Sequence, residues 1–266
     1  MYTLSEINIY PVKSLSGISL KSSPIEERGL KYDRRWMLVY EDGMFFTQRE
    51  HPQMALLQPV IENDILRIHH KQDKSKTILV PSEPNGNSEI QVIVWHDTVT
   101  AKTYSKDIDN WFSDMLGFRC RLVYMPDNTN RIVNPDYVKN KIVSFADSYP
   151  LLIIGEESLG DLNKRLEISL PMNRFRTNLV FSGGNPFDED HWKEFQIGEL
   201  KLQAVKPCSR CVITTTDQDT AERTDEPLKT LATYRKQNCN VMFGMNVIPE
   251  SPGEINVGNE IKLITR

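Results

Sequence analysis

The chain has 266 residues, 39% of them hydrophobic and 26% charged, which is the composition of a globular protein rather than of a disordered chain or a coiled coil. Its formal net charge is -4 and it has no dense block of Lys and Arg, which excludes a sequence-independent grip on nucleic acid. No leader-like N-terminus and no window near the ~20 apolar residues of a membrane span are present, so we expect a cytoplasmic protein without a membrane partner.

Strands are predicted first along the chain, wherever apolar and β-branched residues cluster or alternate between turn signals. In the first half these segments are residues 4–12, 34–40 and 90–104. A helix is predicted over 105–117, because Ile108 and Phe112 share one apolar stripe between a possible N-cap at Ser105 and a terminating Gly117.

A polar stretch at 127–131 predicts a surface connection, and we place a domain boundary between residues 125 and 126. Beyond it, helices are predicted over 157–166 and 227–237, and strands over 178–182, 200–206 and the last residues after Gly258. Strands outnumber helices and do not alternate with them as a parallel sheet requires. The predicted fold class is β-rich α+β, with a few helices packed outside.

The four cysteines are too few and too scattered for a disulfide framework, so reduced thiols are expected. Cys208 and Cys211 form a C-x-x-C pair, for which we consider three ordinary readings. A structural zinc site needs a second ligand pair, which the spacing lacks. A thioredoxin-like dithiol needs a helix start, whereas residues 212–216 are predicted to form a strand. Two inert core cysteines remain the third reading.

A functional thiolate is the fourth reading of the same segment. Lys206 and Arg210 lie close to the cysteines in sequence and would favour the ionised sulfur that a metal requires. Residues three apart on a strand point to opposite faces, so Cys208 and Cys211 are not expected to converge on one metal. The spacing therefore favours a single protein thiolate over a chelating pair.

Six short segments resemble the MOSC-domain proteins, in particular the two-part members related to the amidoxime-reducing component. They occur in the order IYPVKS at 9–14, DRRW at 33–36, TQR at 47–49, FADSYP at 145–150, RFRTN at 174–178 and KPCSRC at 206–211. Together they extend over nearly the whole chain. This chain departs from its relatives after the second cysteine, where Gln218 and Ala221 replace a Pro and a Gly.

The resemblance implies an N-terminal MOSC β-barrel domain at 1–125 and a MOSC β-barrel with peripheral helices at 126–266. It implies that Cys211 ligates the molybdenum of a molybdopterin cofactor, whose dithiolene supplies two further sulfurs. Pyridoxal phosphate binding is associated with the family in general, with no residue of this chain assigned to it. The residues implied to hold the pterin and its phosphate, or to line the same pocket, are Lys13, Ser14, Arg34, Asp147, Ser148, Tyr149, Arg176, Asn178, Ser209 and Arg210.

The activity implied is a molybdenum-dependent reduction of N-hydroxylated compounds such as hydroxylamines, amidoximes and N-hydroxylated bases. Asp147 is a candidate proton relay, provided that its pKa is suitably placed. Since no flavin, haem or iron-sulfur motif occurs, electrons are expected from a separate NAD(P)H-linked flavoprotein or ferredoxin-type protein. The alternatives are a carrier of the cofactor, in plain or sulfurated form, without turnover, and a general thiol-disulfide or persulfide protein.

Overall fold

Strands dominate the fold, as predicted, and the computed structural model describes residues 1–86 and 88–265. The elements of the first half are β1 (Tyr2–Ile9), β2 (Ile18–Leu20), β3 (Ser22–Glu26), β4 (Gly29–Leu30), β5 (Trp36–Val39), β6 (Leu57–Glu62), β7 (Ile65–His70), β8 (Asp73–Pro81), β9 (Glu89–Val94), β10 (Asp97–Thr103), α1 (Lys106–Leu116) and β11 (Arg121–Tyr124). Those of the second half are β12 (Arg131–Ile132), β13 (Ile142–Val143), β14 (Leu151–Gly155), α2 (Glu156–Asn163), β15 (Leu179–Ser182), β16 (Glu194–Ile197), β17 (Leu200–Ser209), α3 (Leu228–Ala232), β18 (Lys236–Gln237), β19 (Asn240–Pro249), β20 (Gly253–Asn256) and β21 (Glu260–Thr265).

A closed barrel forms the centre of the second half. Within the described residues it consists of seven strands in the order β14, β15, β1, β21, β16, β17 and β19, and it closes where β14 pairs with β19. Its interior is filled by side chains from all sides, including Ile7 of β1, Phe181 of β15 and Phe195 of β16. Burying these large apolar groups holds the ring together.

Strand β1 belongs to this barrel although it is the first strand of the chain. It pairs with β15 on one side and β21 on the other. A division between residues 125 and 126 assigns β1 to the first half by sequence, whereas in space this strand is part of the barrel of the second half. As a consequence, the turn that follows β1 lies at the rim of the barrel, next to loops from the second half.

Most other strands of the first half form sheets of their own, whereas β2 pairs with β1, and β3 and β4 form a sheet with β20. Strands β5, β11, β10 and β9 form one sheet, β6, β7 and β8 form another, and α1 covers a core that includes Trp36, Phe46 and Phe112. Helix α1 confirms the predicted helix and ends at Gly117, whose φ of 81° is the left-handed conformation expected of a terminating Gly. The side chain of Ser105 is at the N-cap position but makes no capping hydrogen bond.

Two predictions in the second half are wrong. Residues 212–216 do not form a strand, because β17 ends at Ser209 and a short 3-10 helix, Val212–Thr215, follows. The hydroxyl groups of Thr214 and Thr215 donate to backbone carbonyls three residues back, at 3.0 and 2.8 Å. These carbonyls are therefore hydrogen-bonded within the turn, without a neighbouring strand. The helix predicted over 227–237 is confined to α3, because residues 236 and 237 pair with β19 as β18.

Two further features of the first half were not predicted. The run at 90–104 is two strands, β9 and β10, joined by a tight turn at Trp95 and His96. The sheet of β6, β7 and β8 was not predicted at all. Among the helices of residues 1–86 and 88–265, none has the length and apolar character needed to cross a bilayer.

Candidate functional site

All eleven residues proposed from the sequence line one cavity of about 260 Å³ at the rim of the barrel. Separate parts of the chain bring them there: the turn after β1, the turn before β5, the loops that lead into β14 and β15, and the end of β17 with the segment that follows it. The residues are Lys13, Ser14, Arg34, Asp147, Ser148, Tyr149, Arg176, Asn178, Ser209, Arg210 and Cys211.

The backbone at three of these positions is in the left-handed region. Ser14 has φ 68°, Arg34 has φ 49° and Arg176 has φ 53°. Each such conformation costs a non-glycine residue of order 1–3 kcal/mol, so it persists only where the surrounding structure imposes it. Here three strained residues lie along the same cavity, which is typical of a binding site built at some cost in stability.

Arg34 and Arg176 lie against one aromatic ring. Their guanidinium carbons are 4.4 and 4.3 Å from the centroid of the Tyr10 ring. Arg34 also donates to Asp33 at 2.5 Å and to Asn178 at 3.0 Å. Burial, with a smaller contribution from the charge of Arg34, lowers the pKa of Arg176 to about 10. An anion bound between the two arginines would relieve their mutual repulsion.

Asp147 joins two cations of the cavity lining, Lys13 and Arg49. Its carboxylate accepts from Lys13 at 2.5 Å and from Arg49 at 2.9 Å, and the indole N–H of Trp95 approaches it at 3.3 Å. Burial alone would raise the pKa of Asp147, but the charges of Lys13 and Arg49 outweigh it and hold the pKa well below its ordinary value. The carboxylate is therefore ionised at neutral pH, a state that does not favour donation of a proton.

Lys13 is deeply buried, and burial lowers the pKa of its ammonium group to about 8 even though Asp147 opposes the shift. Burial would also lower the pKa of Arg49, but the charge of Asp147 opposes this effect and the pKa is raised. Arg49 thus bonds the carboxylate of Asp147 and lines the same cavity as Cys211.

Cys208 and Cys211 line the same cavity, which the strand argument did not anticipate. Cys208 lies on β17, whereas Cys211 follows the end of that strand and directly precedes the 3-10 helix. Arg210 donates to the sulfur of Cys208 at 3.0 Å and to the carbonyl of Phe175 at 2.5 Å. The hydrogen bond that Arg210 donates to a cysteine is therefore to Cys208.

The cavity has the chemistry expected for an anionic ligand. In the described part of the chain its lining carries one carboxylate, that of Asp147, against the cationic side chains of Lys13, Arg34, Arg49, Arg176, Lys206 and Arg210. Among the described residues, the phenol oxygen of Tyr149 and Nε of Arg210 are buried without a hydrogen-bond partner. Such groups are costly unless a ligand satisfies them.

These residues fit a molybdopterin cofactor. Its phosphate matches the arginine forks, its polar pterin matches the unpaired donors, and the thiol of Cys211 is a soft ligand suited to its metal. In residues 1–86 and 88–265, no three His, Cys, Asp or Glu side chains cluster as a protein-only metal site would require.

Two important residues were missed in the sequence. Arg49 occurs in the TQR segment that carries part of the resemblance, so its motif could have indicated it. The indication for Trp95 in the sequence was weaker. This bulky residue lies between two strand-like segments, at a position where a tight turn normally has Gly, Asn or Asp.

Comparison with known proteins adds two family matches and several relatives. Residues 1–119 match the MOSC N-terminal beta barrel domain and residues 140–262 match the MOSC domain. Mitochondrial amidoxime-reducing component 1 of Mus musculus is 32% identical over 98% of this chain and 82% of its own. Mitochondrial amidoxime reducing component 2 of Rattus norvegicus is 33% identical over 97% and 82%. Molybdenum cofactor sulfurase of Oryza sativa subsp. japonica is 32% identical over 91% of this chain but only 32% of its own.

Proposed function

Because this chain belongs to the MOSC-domain family, we propose that it binds molybdenum cofactor and reduces N-hydroxylated compounds with electrons from a separate protein. The observation that carries the proposal is the position of Cys211, a thiol on the wall of a cavity lined mainly by cations. The names of the amidoxime-reducing relatives, which cover nearly all of this chain, support the reaction class.

The proposed division of labour follows from the contacts. Arg34 and Arg176, held against Tyr10, would bind the phosphate together with Lys13 and Ser14. Ser209, Arg210, Ser148, Tyr149 and Asn178 would hold the pterin, and Cys211 would bind the metal. When bound, the cofactor would supply the two-electron chemistry that converts an N-hydroxylated group into an amine and water.

Asp147 receives a different role from the one first predicted. As an ionised group that accepts from both Lys13 and Arg49, it would fix these two cations in place beside Cys211 rather than donate a proton. Holding charged groups in position before the ligand arrives reduces the reorganisation that binding requires.

The electron donor is proposed to be an NAD(P)H-linked flavoprotein or a ferredoxin-type protein. The reductase activity can be tested without it. Protein made in a host that synthesises the cofactor should contain molybdenum and pterin, and with a strong chemical reductant it should convert benzamidoxime to benzamidine. Protein made in a cofactor-deficient host is the control. Loaded protein that yields no benzamidine would overturn the reductase proposal.

The sulfurase relative supports a second candidate, a carrier of plain or sulfurated cofactor without turnover. A carrier should release its cofactor to an acceptor enzyme that lacks it. The two candidates are separated by one pair of measurements on the same preparation, benzamidine formation and transfer of pterin to the acceptor. Turnover without transfer favours the reductase, and transfer without turnover favours the carrier.

A further inference from the structure

Trp95, which contacts the cavity residues Arg49 and Asp147, stands out because its backbone is strained and its side chain is exposed. It occupies the tight turn between β9 and β10 with a φ of 59°, where a bulky side chain is a genuine outlier. Nevertheless 39% of the residue is exposed, so burial in a core does not compensate the strain. Strain that packing does not explain points to a function for the side chain.

The contacts of Trp95 place its ring beside two residues that line the cavity, Arg49 and Asp147. Its N–H approaches the Asp147 carboxylate at 3.3 Å, and the Arg49 guanidinium carbon lies 4.6 Å from the ring. Asp147 and Arg49 both line the cavity, as does Cys211. The Phe45 ring supports the indole edge to face at 5.1 Å. The indole is thus held on one side by Phe45 and anchored to the ion-pair network on another.

We infer that Trp95 is a specificity-determining residue that stacks flat, conjugated N-hydroxylated substrates at the mouth of the cavity. The inference rests on the proposed reductase function. A planar amidoxime or N-hydroxylated base has a π face that an exposed indole can contact, whereas a small aliphatic amidoxime has none. Conjugated substrates therefore gain binding at Trp95 that aliphatic ones lack.

Two substrates with the same reacting group provide the test. Benzamidoxime and acetamidoxime are assayed on one preparation of loaded protein, and the ratio of their kcat/KM values is the readout. This ratio is unaffected by incomplete cofactor loading or partial unfolding, because both values scale with the fraction of active protein. Trp95→Ala should lower the ratio about tenfold.

Trp95→Phe is the matched control, because it keeps an aromatic face and removes the N–H that approaches Asp147. It should keep the ratio within about twofold of the wild type. An unchanged ratio in Trp95→Ala overturns the inference alone. An equal loss in Trp95→Phe also overturns it, because the N–H and not the ring face would then matter. If the wild type reduces neither amidoxime, the proposed function fails and the inference with it.

A binding measurement provides a readout apart from turnover. Benzamidoxime added to loaded wild-type protein without reductant should quench part of the indole fluorescence in a saturable way, and this component should be missing in Trp95→Phe. Equal quenching in the two proteins would contradict contact between substrate and Trp95.

Discussion

The ammonium nitrogen of Lys13 lies 2.5 Å from a carboxylate oxygen of Asp147, although 134 positions separate the two residues in the chain. The contact joins the turn after β1 to the loop before β14. Arg49 bonds the other oxygen of the same carboxylate. Charges from three distant segments are thus arranged around the cavity by the protein itself.

Replacing Asp147 by Asn should destabilise the protein at pH 7 by about 1 kcal/mol, since the side chain is half exposed and solvent weakens its ion pairs. The pKa of Asp147 is lowered in the folded state by Lys13 and Arg49, whose charges outweigh the partial loss of solvent around the carboxylate. Its stabilisation is therefore complete above the ordinary carboxyl pKa of ~3.9 and is lost as the pH falls below that value.

Urea unfolding of the wild type and Asp147→Asn at several pH values measures this dependence. The difference in the free energy of unfolding should shrink as the pH falls from about 5 to about 3. A difference that stays constant over this range would show that the carboxylate charge does not stabilise the fold.

Cofactor binding should weaken as the pH rises above about 8. Burial lowers the pKa of Lys13 to about 8, so above this pH its ammonium group loses the proton that attracts a phosphate. Lys13→Arg should bind with little change over the same range, because Arg stays charged. Pterin fluorescence measured between about pH 7 and pH 9 tests this, and parallel curves for the two proteins would contradict the assignment.

Tyr10 should matter for cofactor occupancy through its ring and not through its hydroxyl group. Tyr10→Leu removes the aromatic face beneath Arg34 and Arg176 and should lower affinity about tenfold, because each cation–π contact contributes ~0.5–1 kcal/mol. Tyr10→Phe keeps the ring and loses only the 3.2 Å bond to the Thr177 carbonyl. Pterin content per folded protein, with a thermal melt alongside, should separate the two variants.

The two cysteines should differ sharply in activity. Cys211→Ser should reduce benzamidoxime reduction to background, whereas Cys208→Ser should keep most of it, because a serine hydroxyl can accept the bond that Arg210 donates to Cys208. Equal losses, in protein that contains no metal, would instead support the thiol-disulfide alternative.

The sequence predicted the site residues better than it predicted how they interact. Short segments such as KPCSRC and RFRTN carry local signals, and every site residue taken from them lines the cavity. Their partners depend on how distant loops meet. Nothing near Asp147 indicates that Lys13 and Arg49 neutralise it, and so its role as a proton relay was proposed without the contacts that lower its pKa.

In the fold, too, features set by neighbouring residues were predictable and features set by contacts between distant residues were not. Helix α1 and its end at Gly117 were predictable because the apolar stripe of the helix and the glycine that ends it lie within a few residues of each other in the sequence. The turn at Val212–Thr215 was not, because β-branched residues favour a strand until their hydroxyl groups bond the backbone within the turn. The pairing of β1 with β15 and β21 joins residues from opposite ends of the chain, which local patterns do not record.

X-ray absorption at the molybdenum edge tests the central claim most directly, because it counts the sulfur atoms bound to the metal. The loaded wild type and Cys208→Ser should show the same sulfur coordination, and any metal retained by Cys211→Ser should have one sulfur fewer. The same sulfur count in Cys211→Ser as in the wild type, or no molybdenum in wild-type protein from a cofactor-competent host, would contradict the account.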